Sequence, residues 1–216
     1  MDRPSASRFP DPRDGPPDAP LAQGGDLACD TLIDAYAHGI FPWPSGDALY
    51  WWSPDPRAVL PLDGLRVSRS LRRTLASGAL RCTLDRAFEG VIAGCADRPG
   101  DQTWITPAMM SAYRRLHDAG HAHSIEVWDR AGQLCGGLYG VALGGAFMGE
   151  SMFHRVPDAS KAALVDLVER LRAGGFSLLD VQLPTPHLAS LGAIEMARSA
   201  FLDRLGEALG LPATLR

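Results

Sequence analysis

Between residues 122 and 154 the chain makes the same statement three times. "HSIEVWD", "QLCGGLYGVALG" and "GAFMGESMF" are short runs rich in apolar, β-branched and aromatic residues, separated by Gly-containing turns. Turns this tight can join only antiparallel neighbours, because a parallel pair needs a crossover of roughly a dozen residues or more. A three-strand antiparallel meander is therefore predicted at the centre of the fold. On both sides the period lengthens to that of helices. "DRAFEGVIAGCA" and "TPAMMSAYRRLHDAG" precede the meander, the second with Thr106 as N-cap, Pro107 at N1 and Gly120 at its end. "DASKAALVDLVERLRAGGF" follows as an amphipathic helix capped by Asp158 or Ser160, then "SLLDVQL" as a strand and "TPHLASLG" as a helix start. "GAIEMARSAFLDRLGEALG" supplies a last strand and a closing helix.

The first third reads differently. Residues 1–25 are crowded with Pro, Asp, Arg and Ser, a composition that buries too little apolar surface to order itself, and they are expected to be a loose tail. "GGDLACDTLIDAYAHGIF" predicts a helix with Asp26 as N-cap and Gly39 at its end, and the Pro- and Trp-dense "FPWPSGDALYWWSPDPR" predicts irregular chain. This gives a small N-terminal domain over 26–62 and an α+β domain with a mainly antiparallel sheet over 63–216. The element order of the larger domain is similar to the acyltransferase fold of the acetyl-CoA-dependent N-acetyltransferases. In that fold a Gly-rich loop before a helix cradles the coenzyme A pyrophosphate. Here the aligned loop is "RVPDAS", where Pro157 lacks an N–H and Asp158 brings a repelling carboxylate, so a GNAT-like fold without coenzyme A is expected.

Charge narrows the partners. Twenty-one Lys and Arg against 25 Asp and Glu give −4, so any nucleic-acid contact must be a local patch. "LRVSRSLRRTLASG" offers one: Arg66, Arg69 and Arg73 are read on a shared helical face, which is either a solvated surface or a phosphate-contacting edge. The four cysteines form no CxxC pair, and no run approaches 18 apolar residues. A cytoplasmic, membrane-free protein is expected.

Chemistry is concentrated in few positions. Glu150 is a single carboxylate inside an apolar run; it requires a partner, a wet cleft or a site. Asp180 and Gln182 lie two apart and share one face of a strand, so Asp180 is expected to hold the Gln182 amide, either for structure or to turn its carbonyl oxygen toward an incoming amine. Trp43, Trp51, Trp52 and Trp104 either plug a domain junction or stack on bases. His117, His121 and His123 lack the spacing of a metal site, and no metal is expected.

The ordered blocks "AYAHGIFPW", "YWWSPDPRAVLPL", "VSRSLRR", "TWITPAM", "LHDAGHAHSIEVW", "GGLYGVALGGAFMGESMFHR", "DASKAALVDLV" and "LLDVQL...HLASLGA" resemble the leucyl/phenylalanyl-tRNA-protein transferases. The resemblance runs from about residue 24 to 205. It implies transfer of Leu, Phe or Met from aminoacyl-tRNA to the α-amino group of proteins beginning with Arg or Lys, by a monomer that uses no metal or organic cofactor. By the same resemblance, Trp43 and Trp104 support the aminoacyl-adenosine end, and Leu138 and Phe147 line the pocket for the donor side chain. Glu150 and Gln182 meet the amino group, with Asp180 behind Gln182, while Arg66, Arg69, Arg72 and Arg73 meet acceptor-stem phosphates. Leu138 stands where the family has Met in a well-known member, and "LPTPH" is unusually Pro-rich. The competing readings are an acetyl-CoA-dependent N-acyltransferase and a non-catalytic tRNA- or N-degron-binding module. An unbroken strand would point Phe147 and Glu150 to opposite faces, so a bulge near Gly149 is predicted.

Overall fold

The computed structural model describes residues 7–97 and 103–216. In chain order its elements are β1 (Ala22–Gln23), α1 (Cys29–Ala37), β2 (Phe41–Ser45), β3 (Ala48–Trp52), β4 (Arg57–Val59), α2 (Arg69–Ala76), β5 (Arg81–Leu84), α3 (Phe88–Ala96) and α4 (Pro107–Asp118). The series continues with β6 (Ala122–Trp128), β7 (Leu134–Leu143), β8 (Ala146–His154), α5 (Ala159–Ala173), β9 (Leu178–Gln182), α6 (Pro186–Ser190), β10 (Ile194–Met196) and α7 (Arg198–Leu209). Two sheets form among the described residues: a small one in the order β1-β3-β2, and a larger one in the order β10-β4-β9-β8-β7-β6-β5. The expected meander is β6-β7-β8. In the larger sheet the single parallel pair is β8 with β9, joined by α5 as the crossover. The α+β class with a mainly antiparallel sheet is the one read from periodicity.

Alternation along the strands divides the core. Leu138, Phe147 and Leu179 face α5 and pack with its Ala163, Leu164 and Leu167. Tyr139, Val141 and Met148 face the other way, into a cluster with α1, α3, α4 and α7 that holds Tyr36, Tyr113 and Phe201. None of the described helices is long and apolar enough to cross a membrane.

Four local expectations change. Residues 41–52 are a hairpin, Phe41↔Trp52 through Ser45↔Ala48, where irregular chain was expected. Pro42 and Pro44 are compatible with it because β2 is the edge of its sheet, where a missing N–H costs no ladder bond. The loose tail expected over 1–25 does not hold for the described part. Ala22 and Gln23 pair with Trp51 and Tyr50, Phe9 packs on the Trp51 ring at 4.7 Å, and Arg198 donates to the carbonyls of Gly15 and Pro16. These partners are far away in sequence, so composition could not reveal them. Asp26 does not cap α1, which starts at Cys29 after Ala28; its carboxylate instead takes the Ala28 N–H and the Thr31 hydroxyl. Finally, Ser68 caps α2, so Arg66 precedes the helix and shares no helical face with Arg69 and Arg73.

Candidate active site

The site begins where two strands part. β8 and β9 pair from Ala146↔Leu178 to Met148↔Asp180 and no further, so their continuations, Gly149 onward and Val181 onward, diverge. The gap is a cleft of about 420 Å³ whose walls include Trp43, Trp104, Leu138, Met152 and Leu188, with Glu150 and Gln182 at its polar end.

Glu150 reaches the cleft through a bulge. On the β7 side the register runs Tyr139↔Ser151 and then Gly140↔Gly149, so Glu150 is the extra residue, as the sequence predicted for this neighbourhood. Gly140 is needed at that point. A Cβ there would lie 2.3 Å from the Met148 carbonyl oxygen and 2.4 Å from the Phe147 ring. The carboxylate is half-buried and has partners on both oxygens. Oε2 accepts from Tyr113 Oη at 2.8 Å and Oε1 accepts from Gln182 Nε2 at 3.2 Å. Tyr113 Oη also shares a hydrogen bond with Tyr36 Oη inside the core. Burial pushes the Glu150 carboxyl up to about 7, while the tyrosine hydroxyls pull it back.

Gln182 ends β9 with φ at 56°, a left-handed conformation unusual for a residue with a side chain. Asp180 holds it there by accepting the Gln182 backbone N–H at 3.0 Å. The expected contact between Asp180 and the Gln182 side-chain amide does not form. Two strand residues of the same face would allow it, but the turn of backbone at Gln182 swings the amide to Glu150. The NH2 is the end of the Gln182 amide that reaches Glu150, so Oε1 points elsewhere. Gln182 Oε1 has no hydrogen-bond partner among the described residues.

Asp180 is fully buried and is held by Arg57, a residue the sequence reading missed. Nε donates to Oδ1 at 2.9 Å and Nη2 to Oδ2 at 2.7 Å, while Nη1 donates to the Gly39 carbonyl at 3.0 Å. The guanidinium lies over the rings of Phe41 and Phe201, at 5.0 and 4.5 Å. A signal existed: Arg57 sits just before the apolar run "AVL", and Asp180 is alone within "LLDV". Two opposite charges, each inside an apolar strand, call for one another.

The other expected residues sort unevenly. Trp43 and Trp104 both line the cleft and stack, with ring centroids 5.5 Å apart and planes at 22°. Leu138 lines it too. Phe147 does not: it is fully buried beneath Gly140, in the cluster that faces α5. The bulge carries Glu150 to the cleft and leaves Phe147 in the core. Arg66, Arg69, Arg72 and Arg73 are all exposed. The Arg66 N–H donates to the Leu191 carbonyl, which places that arginine beside the end of α6, the helix whose His187 and Leu188 line the cleft. His117 stacks on Phe88 and His123 pairs with Asp85 at 2.7 Å. No group of three or more His, Cys, Asp or Glu among the described residues is placed to hold a metal ion.

Relatives about 55% identical over nearly the whole chain and named as aminoacyl-tRNA–protein transferases make this chain an enzyme of the aminoacyltransferase class. Leucyl/phenylalanyl-tRNA–protein transferase from Anaeromyxobacter sp. (strain K) is 55% identical over 217 residues, covering 99% of this chain and 92% of that one. The protein of that name from Stutzerimonas stutzeri (strain A1501) is 55% identical over 199 residues, 91% of this chain and 88% of its own. The family model described as leucyl/phenylalanyl-tRNA protein transferase matches residues 59–206, and that of its N-terminal domain matches 25–55. The chain belongs to the leucyl/phenylalanyl-tRNA protein transferase family. Looser likenesses to solved structures include L-PGS from Bacillus licheniformis, with TM-score 0.43 and 11% identity, covering 73% of this chain and 51% of that one. A GCN5-related N-acetyltransferase from Kribbella flavida gives TM-score 0.40 and 12% identity, covering 76% and 60%. The chain thus spans about half to three fifths of the length of those two proteins.

Proposed function

We propose that the enzyme transfers leucine, phenylalanine or methionine from aminoacyl-tRNA to the α-amino group of proteins that begin with Arg or Lys. The product carries a new N-terminal residue that marks it for degradation as an N-degron. The observation that carries this reading is the Glu150–Gln182 contact at the parting of β8 and β9, which leaves the Gln182 carbonyl oxygen without a partner among the described residues. A carboxylate suits a donor α-ammonium, and a fixed carbonyl acceptor suits the N–H of an attacking amine.

The donor's apolar side chain enters among Leu138, Met152, Leu164 and Leu167, and its adenosine lies against the Trp43–Trp104 pair. Phe147 acts from the core, through its packing against the strand that carries Leu138. The acceptor's amine nitrogen attacks the ester carbonyl carbon, while Gln182 Oε1 receives one of its N–H groups. A tetrahedral intermediate forms and collapses, the bond to the tRNA 3′-oxygen breaks, and the amine's proton passes to that oxygen. The ester is already activated, so holding the two reactants in line supplies most of the acceleration. Arg66, Arg69, Arg72 and Arg73 meet acceptor-stem phosphates, a local basic edge on a chain of net charge −4. A substrate of charged tRNA and a role in N-degron processing suit an enzyme of the cytoplasm.

The test is direct. Purified protein should move labelled leucine from charged tRNA to a peptide with N-terminal Arg. No transfer with leucine, phenylalanine or methionine would sink the proposal. Saturable coenzyme A binding would favour the acetyltransferase reading.

A further inference from the structure

A second cavity of about 510 Å³ adjoins the cleft. Met152 and His187 line both, so the two are contiguous. Its other polar walls are His154, Arg155, Ser160 and one acid, Asp97, at the end of α3. Resting on the function proposed above, we infer that this cavity binds a phosphodiester of the RNA strand leading into the cleft, namely the 5′-phosphate of the terminal aminoacylated nucleotide.

Three observations converge. Ser160 lies in the first turn of α5, a helix of 15 residues, and is 5% exposed, yet its hydroxyl has no hydrogen-bond partner among the described residues. A buried hydroxyl facing a cavity at the positive end of a long helix is a donor awaiting an anion. Arg155 is anchored, with Nη1 donating to the Leu134 carbonyl at 3.1 Å and the guanidinium over the Phe153 ring at 5.5 Å. Its remaining side-chain N–H groups have no acceptor among the described residues, so a pre-positioned fork faces the cavity. Third, the basic groups are close enough to feel one another: burial lowers the His187 pKa, and Lys161 and His154 lower it further.

Asp158, whose carboxylate argued against a phosphate at this helix end, is absent from the cavity walls. It is bound by Lys161 Nζ at 3.0 Å and Thr74 Oγ1 at 3.3 Å. The Thr74 contact also fixes direction. Asp158 is the N-cap of α5, the helix whose Ser160 lines the cavity, and Thr74 belongs to α2, which carries Arg69, Arg72 and Arg73, so α2 lies against the end of α5 from which the cavity opens. A strand whose last nucleotide occupies the cleft would pass its phosphate to Ser160 and Arg155 and continue toward α2.

The test uses the full chain and two non-hydrolysable donors, 3′-leucylamido-3′-deoxyadenosine and the same compound with a 5′-phosphate. The native protein should bind the phosphorylated form about tenfold more tightly, the effect of one or two charge-assisted hydrogen bonds. Ser160→Ala and Arg155→Gln should each shrink that gap and leave affinity for the unphosphorylated form unchanged. With leucyl-tRNA, Arg155→Gln should lower the slope of log KM against log salt by about 0.7, one single-strand phosphate contact. Equal binding of the two compounds by the native protein, while it still transfers leucine, overturns this site alone. A gap that survives both substitutions also overturns it. Absence of binding together with absence of transfer overturns the functional reading beneath it, and the site falls with that reading.

Discussion

Replacing Glu150 with Gln should make the free protein more stable at neutral pH and a poorer enzyme. Burial raises the Glu150 carboxyl from 4.5 to about 7. Between those two pH values the folded protein binds more protons at this position than the unfolded chain does. The stability linked to this group is therefore full below about pH 4.5 and declines as pH rises through 7. The span from 4.5 to about 7 corresponds to at most about 3 kcal/mol, and roughly half that after allowance for the carboxylate's partial exposure to the cleft. A glutamine keeps the volume. Its carbonyl can accept from Tyr113 Oη, and its NH2 can meet Gln182 if that amide turns over. Urea unfolding midpoints at pH 5, 6, 7 and 8 provide the assay. The native protein should lose stability across this series, and Glu150→Gln should overtake it above pH 6. Donor KM should rise, because the bound α-ammonium loses its counter-charge, and kcat should fall, because the turned amide no longer offers its carbonyl oxygen. A stability difference between the two proteins that is the same at pH 5 and pH 8 would refute the assignment of a raised carboxyl to Glu150.

Two further outcomes follow from the charges. Arg57→Met strands a fully buried Asp180 and should cost about 3–5 kcal/mol by urea unfolding, whereas Arg57→Met combined with Asp180→Leu should recover much of the loss. If the single and double variants unfold alike, the pair carries no such weight. Removing Arg69, Arg72 and Arg73 together should raise KM for leucyl-tRNA and reduce its log–log salt slope by about 0.9 for each duplex phosphate no longer neutralised, with KM for a leucyl-nucleoside donor unmoved.

What the sequence disclosed tracks the range of the interactions. The meander and the helices on both sides of it are written in local periodicity, and the structure has them. The bulge was legible because Glu150 violates the parity of its own strand, although Phe147, half of that argument, proved to be core. The β2–β3 hairpin was hidden by Pro42 and Pro44, whose lack of N–H groups reads as loop until the edge position is known. β5 is four residues on an edge and carries little pattern. Arg57 pairs with a residue 123 positions away, and Tyr36 and Tyr113 reach one another across 77, distances over which no local rule operates. The same holds for the side chain of Gln182. Its strand position is legible in "SLLDVQL", but its partner is decided by one left-handed residue and by the meeting of β8 with β9.

Single-turnover leucine transfer by Gln182→Ala, measured at saturating charged tRNA together with the dissociation constant for that tRNA, tests the account at its centre. Loss of the carbonyl acceptor should slow transfer by about 100-fold or more while tRNA affinity stays nearly constant, the division expected of a group that acts on the attacking amine. A variant that transfers leucine at the native rate, or one whose rate and affinity fall together, would contradict it.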